Sequence, residues 1–328
     1  MLHYRNLILF FIVILIFACT KTSNNPQAID DGLPHNFTLT AQINNGEKAG
    51  HLAIGENGVI FVANYEAGLR AYSYDESGFT LKASVKDGRL AVGVTVKPIR
   101  TVLLANYDDG LWAYKYENSA FWYKTHINDG IITRRIAVAE DGIIFVAADG
   151  DLQGYHYDGS SFTKLSHLHR FDDASDVITG PEHTIFVARR IDGVVAYHYN
   201  DSTLTQIASI DDGGYAESLT FGSDGTLFLA NSDDGLRAYK YDNSRFINTA
   251  HIFNGGYATD VALGLDNTIF VACYDDGMRA YTYDDSSFTN TAHIDDGGHA
   301  SSVIVGLDGT VFLAKNFDGL SAYKYSGY

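Results

Sequence analysis

The sequence predicts an all-β fold: a seven-bladed β-propeller of four-stranded antiparallel blades, its ring closed by an N-terminal strand that completes the last blade. Three observations carry this. First, one unit recurs seven times. The segment written Gly-Leu-Arg-Ala-Tyr at its clearest starts at Gly68, Gly110, Asp151, Gly193, Gly235, Gly277 and Gly319, in steps of 42, 41, 42, 42, 42 and 42 residues. Second, each unit holds four short β-branched or aromatic runs bounded by Asp, Asn, Gly or Ser, with Asp-Gly turns at 224–225, 234–235, 276–277 and 308–309. In the sixth unit the runs predict strands over Ala258–Leu263, Thr268–Ala272, Met278–Tyr283 and Phe288–Ile294. Third, the last unit stops before its fourth strand. The missing Phe-Thr-x-Thr-Ala-x-Ile stands at the other end, as Phe37–Ile43. Pairing the two ends hides both sheet edges.

Taken in chain order, residues 1–18 read as a signal segment, with His3 and Arg5 before an apolar run over Leu7–Phe17 that is short for a membrane span. Ile16-Phe17-Ala18-Cys19 resembles a bacterial lipobox, which implies a diacylglycerol on Cys19 and cleavage before it. An ordinary secretory signal or an uncleaved anchor is the alternative. Residues 19–34 are polar, with Pro and Gly, and read as a flexible tether from the lipidated Cys. Residues 35–328 are the propeller. Its Tyr pairs, from Tyr72/Tyr74 to Tyr323/Tyr325, use fourteen of the 22 Tyr, so Tyr abundance is a property of the repeat.

Gly-Gly-Tyr-Ala-Thr-Asp-Val-Ala (255–262), Ile-Phe-Val-Ala (269–272) and Asp-Gly-Met-Arg-Ala-Tyr (276–281) resemble the LVIVD-repeat propellers over residues 37–328. Ala-Tyr-x-Tyr stands where that family has a Val-x-Asp strand. The resemblance implies a bacterial envelope location and an interaction role, and it brings no catalytic signature. The Gly-His and Trp-Asp pairs of WD40 repeats do not recur.

Composition narrows the function. A net charge of −17 argues against nucleic acid as a partner, and two distant Cys exclude a disulfide framework. No nucleophile elbow, His-Glu-x-x-His, Cys-x-x-Cys or phosphate loop occurs. The recurring Asp-Asp-Gly read as turn formers, since no single loop gathers the six or more oxygens of a calcium site. His126, His167, His251 and His293 share an outer-strand position and lie too far apart to share an ion.

Topology then selects candidates. With the first strand innermost, the loops joining strands 4 to 1 and 2 to 3 emerge on one face. Arg134, Arg135, Arg170, Arg189 and Arg190 cluster there, against the general charge, and suit an oxyanion-bearing partner. Pairing with Asp172, Asp173, Asp176 and Asp192 is the structural alternative. Tyr65, Tyr107, Tyr274 and Phe317 form an aromatic arc on the opposite side of the same face, fit to stack sugar rings or to anchor a chain. The favoured expectation is a non-enzymatic, envelope-anchored binding or scaffold lipoprotein. It would be a monomeric ring on the outer membrane or cell surface, facing periplasm or exterior, with a protein or glycan partner and no cofactor. The alternative is a propeller hydrolase, lactonase or lyase with a divalent metal at the channel mouth, held by His51, Asp176 and Asp260. The equivalent Gly93, Arg135, Ser218 and Ser302 make a poor cage. A purely structural ring is the third reading.

Overall fold

A computed structural model describes residues 32–328 except 87, 99, 170–172, 201, 202 and 254, so Cys19 and Arg170 lie outside the described residues. Seven four-stranded antiparallel sheets are arranged as blades around a central channel. Their innermost strands are His51–Ile54, Gly93–Lys97, Thr133–Val138, Asp176–Thr179, Ser218–Phe221, Asp260–Leu263 and Ser302–Val305, numbered below as blades one to seven. Each touches the next, and blade seven touches blade one, so the ring is closed at the channel.

It is closed at the rim as well. The strand Phe37–Ile43 pairs antiparallel with Leu320–Tyr325, from Phe37 opposite Tyr325 to Ile43 opposite Leu320. It reproduces the repeat in detail. Every fourth strand carries a bulge, and in blades five, six and seven the bulged residue is Thr249, Thr291 or Thr40. Each hydroxyl donates to a carbonyl of its own third strand and meets the second Tyr of the next blade. The Thr40 oxygen lies 2.7 Å from Tyr74 Oη, as Thr291 lies 2.8 Å from Tyr325 Oη. Gln42 Nε2 donates to the Asp318 carbonyl at 3.3 Å, where His293 bonds the Asp276 carbonyl at 2.9 Å.

The core lies between blades. One buried apolar cluster sits at each junction, and that between blades six and seven includes Phe37, Phe270, Met278 and Tyr323. Within them the second Tyr of a blade meets the preceding blade's Phe edge-on, as in Phe270–Tyr325 (5.3 Å, 89°) and Phe312–Tyr74 (5.2 Å, 82°). The first Tyr points its hydroxyl at the loop that enters its own blade. Tyr323 donates to Asp296 at 2.5 Å, Tyr155 to Asp129 at 3.0 Å, and Tyr72 accepts from Asn45 at 2.7 Å. Burial followed by these carboxylates pushes the Tyr155 and Tyr323 phenols up from their ordinary range. The second Asp of Asp-Asp-Gly in these loops therefore anchors a Tyr, and the first caps its turn, as where Gly297 N–H donates to Asp295. In six of the seven 2–3 turns the repeat position of Gly319 is a glycine, with Asp151 standing there in blade three. A Cβ on Gly319, at φ +82°, would stand 2.1 Å from the Ile43 carbonyl oxygen.

The sixth blade's strands are Asp260–Leu263, Ile269–Ala272, Met278–Tyr283 and Phe288–Ile294. The first begins two residues later than the sequence predicts. Ala258 turns its N–H across to the Ser232 carbonyl of blade five, 2.9 Å away, instead of joining its own ladder.

Candidate functional site

The bond made by Ala258 recurs, and it builds the loop face. Tyr65, Tyr107, Arg190, Ser232, Tyr274 and Asn316 take one position in their 2–3 loops, each with φ between 41° and 50°. Each bridges the residue that leads into the next blade, respectively Ala91, Thr133, Ala216, Ala258, Ala300 and Ala49. Tyr65 N–H donates to the Ala91 carbonyl at 2.9 Å, and Ala91 N–H returns to Tyr65 at 3.1 Å. The latch is a pair of backbone positions, with the Thr133 hydroxyl adding a bond to the Tyr107 carbonyl at 3.0 Å, so it holds the loops together while leaving the side chain of the 2–3 loop residue undetermined. A left-handed backbone costs an L-residue about 1–2 kcal/mol, so each side chain is presented against strain.

All four aromatic candidates sit on or beside these latches in company. Lys48 Nζ lies 3.8 Å over the Tyr65 ring and 5.9 Å from the centre of Phe317, which is 65% exposed. Tyr274 stacks on His299 at 4.5 Å and 16°, and His299 in turn bonds Asp275. Tyr107 lies half-buried beside Arg134. Sequence reasoning missed Tyr215 and Tyr257, 46% and 53% exposed, which precede the latched Ala216 and Ala258. Their signal was the Gly-Gly-Tyr-Ala segment itself, absorbed into the repeat. Among the described residues, an aromatic ring thus stands at six of the seven junctions.

The junction between blades three and four is different. Arg134 bonds Asp149 and lies 3.1 Å from Asp173, which Arg190 meets at 2.7 Å; Arg190 Nη1 is 3.9 Å from Glu217. Two of the five predicted Arg, Arg134 and Arg190, stand in an alternating Asp149–Arg134–Asp173–Arg190–Glu217 chain. Arg189 pairs with Asp192 at 2.6 Å. Burial pushes the Asp173 and Glu217 carboxyls up despite the guanidiniums beside them. The arc is a charge-balanced patch rather than a field of free cations.

Just below, one register position of the inner strands rings the channel mouth: His51, Gly93, Arg135, Asp176, Ser218, Asp260 and Ser302, each opposite an Ala of the second strand. They stitch blade to blade. His51 Nδ1 accepts from Val94 N–H at 3.2 Å, Asp176 from Leu219 N–H at 2.9 Å, and Asp260 from Val303 N–H at 2.9 Å. Ser218 donates to Asp260 at 2.6 Å, and Arg135 donates to the Val92 carbonyl at 2.9 Å. Burial, then the Arg135 charge, holds the His51 imidazole well below its usual range, so it is neutral. Burial pushes the Asp176 carboxyl up to about 7, against the lowering by Arg135 and the Leu219 N–H.

A divalent ion needs lone pairs converging on one point. His51, Asp176 and Asp260 stand in blades one, four and six, and the neighbouring blades' N–H groups engage all three side chains. This donor set does not fit the ion. Among the described residues no group of three or more His, Cys, Asp or Glu gathers to a metal-sized cluster. Along the rim, His167 pairs with Asp151 at 2.8 Å and His126 stacks on Trp112 at 4.6 Å, so these rings pack within their own blades.

No protein-family model and no curated protein sequence matches the chain. Solved structures do. The WD40 propeller domain of Doa1 superposes with a TM-score of 0.70 at 12% identity, covering 89% of this chain and 97% of that one. A protein from Lactobacillus plantarum gives 0.68 at 15% identity over 76% and 86%. The extracellular domain of what is described as a hybrid two-component system from B. thetaiotaomicron gives 0.66 at 14% identity, covering 87% of this chain and 39% of that one. The likeness is one of fold. The Doa1 domain matches in shape although the Gly-His and Trp-Asp pairs are missing here.

Proposed function

We propose that this chain is an envelope lipoprotein of the LVIVD-like kind, anchored through Cys19, that binds a protein or glycan partner on its loop face without catalysis. One observation carries the reading: six junctions present an aromatic ring on or beside a strained backbone latch that does not itself require one. Rigidly held, half-exposed rings supply contact area at small entropic cost, which suits sugar stacking or a protein anchor. The extracellular neighbour from B. thetaiotaomicron agrees with an envelope address. The Arg arc would add a polar, charge-balanced sector for a partner bearing oxyanions.

The test is one experiment with two variants. The ring is immobilised and probed with an oligosaccharide panel and with cross-linked envelope proteins. Tyr215→Ser/Tyr257→Ser/Phe317→Ser should lose capture while keeping the parental melting temperature. Arg189→Ala/Arg190→Ala separates recognition from pairing. Salt-sensitive loss of capture with stability kept means recognition. A lowered melting temperature with capture retained means that Arg190 serves Asp173 and Glu217 only. Capture unchanged in both variants would remove the loop face from the proposal.

A further inference from the structure

On the face opposite the latches, a cleft of about 580 Å³ opens between blades one and two. That lies within the ~300–1,000 Å³ typical of small-ligand sites. Phe61, Val102 and Tyr116 contribute apolar and aromatic walls, and Lys82, Lys97 and Arg100 line it too.

Lys97 and Arg100 break the repeat, whereas Lys82 has a lysine counterpart, Lys124, in blade two. Lys97 stands where the other blades have Gly55, Ala139, Gly180, Gly222, Gly264 and Gly306. Arg100 stands where they have Gly58, Gly142, His183, Gly225, Asn267 and Gly309, every one at positive φ. Arg100 adopts φ 60° there, a conformation an arginine takes only under strain. Lys82 is the bulged residue of its fourth strand, at the position of Thr40, Thr249 and Thr291. Those threonines meet the next blade's second Tyr, whereas Tyr116 is left lining the cleft. Lys97 lines the cleft but turns its ammonium to blade three, where it donates to the Gly142 carbonyl at 3.0 Å and lies 5.9 Å from the centre of the Tyr157 ring, with burial lowering it from the usual range.

The molecule also shows what such a cleft accepts. Between blades six and seven the equivalent space is filled by the chain's own Tyr328. Its ring lies 6.3 Å from Phe270 and 5.4 Å from Tyr325, the counterparts of Phe61 and Tyr116, and it reaches Gly264 and Gly309, the counterparts of Gly55 and Arg100. One groove is plugged by an aromatic ring. The other lacks the ring and carries cations at its entrance.

We propose that the cleft between blades one and two binds a small aromatic carboxylate, its ring against Phe61 and Tyr116 and its anionic group held by Arg100 and Lys82. Arg100 now pairs with Glu117 at 3.0 Å, but Lys115 holds the same carboxylate at 2.7 Å, so the guanidinium can turn to a ligand without stranding Glu117. This site is independent of the loop face.

Calorimetric titration of the full chain with 3-phenylpropionate, and with 3-phenylpropan-1-ol as the neutral analogue, tests it. The acid should bind saturably and at least about tenfold more tightly than the alcohol, as a charge-assisted bond requires. Arg100→Gly restores the residue of the repeat. It should keep or raise the melting temperature while weakening the acid about tenfold or more, and Lys82→Ala should weaken it similarly. The proposal falls if the acid shows no saturation by about 10 mM, a bound set well above millimolar affinity. It also falls if acid and alcohol bind alike, or if both variants bind as the parent does. A melting temperature lowered in Arg100→Gly with binding intact would assign Arg100 to Glu117 instead.

Discussion

Phe37→Ala tests ring closure with a single atom group. Phe37 is 3% exposed and packs on Phe270, Tyr323 and Tyr325 at ring separations of 6.0, 6.2 and 5.5 Å. It has internal controls, because Phe246 and Phe288 hold the same strand position in blades five and six and are 8% and 9% exposed. Truncating a buried Phe costs about 3–5 kcal/mol, from lost transfer energy and the cavity left behind. If the N-terminal strand is an integral part of blade seven, Phe37→Ala should fall in that range and match Phe288→Ala within about 1 kcal/mol, the usual spread for one chemistry at similar sites. Equilibrium urea unfolding of the three single variants measures it. A cost below about 1 kcal/mol for Phe37→Ala, beside full costs for the controls, would show that the strand is not docked in solution and would refute closure.

Two further outcomes are expected. Asp176 is protonated more readily in the folded state, with its pKa raised from 3.8 to about 7, so its contribution is fully present below about pH 4 and lost as pH rises through 7. Asp176→Asn should therefore flatten the stability profile between pH 4 and 8, read by chemical unfolding at each pH; a variant that keeps the parent's slope over that range would contradict this. Cys19→Ala should leave an uncleaved precursor that incorporates no labelled acyl chain, and unchanged labelling would remove the lipoprotein reading.

How much was legible depended on whether the information was periodic. The blades, their strand order and the closing strand were readable because Phe37-Thr-Leu-Thr-Ala-Gln-Ile43 repeats Phe288-Thr-Asn-Thr-Ala-His-Ile294, down to the side chains that make the closing bonds. The inner-strand ring was readable too, since position 42 residues on puts Asp176, Ser218, Asp260 and Ser302 in one register. Ion pairing was not. Asp149 lies in the one shortened 2–3 loop, and its bond to Arg134 crosses from that loop to the inner strand of the same blade. Tyr215 and Tyr257 are hidden for the opposite reason: they match the repeat, so nothing periodic sets them apart. The cleft between blades one and two is not legible because its lining comes from turns of two blades, at 55–59 and 96–100, that only the fold brings together.

The repeat itself supplies the measure of what is unusual. Six other blades show what each position needs for folding, so a departure that is also strained points beyond folding. At the latches, Tyr65, Tyr107, Arg190, Ser232, Tyr274 and Asn316 all accept a left-handed backbone, and their variety shows that the bond constrains the main chain only. At the opposite face, left-handed turns mostly use Gly or Asn, and Arg100 is the Arg among them. The two faces therefore use strain differently. On the loop face it is distributed, and it holds out a rosette of unlike side chains suited to a broad partner surface. At blade two it is local, and it sets one guanidinium at the mouth of one cleft, which is the arrangement a small charged ligand requires. Arg100→Gly and Tyr257→Ser accordingly should separate in their effects: the first alters small-anion binding and leaves partner capture alone, and the second does the reverse.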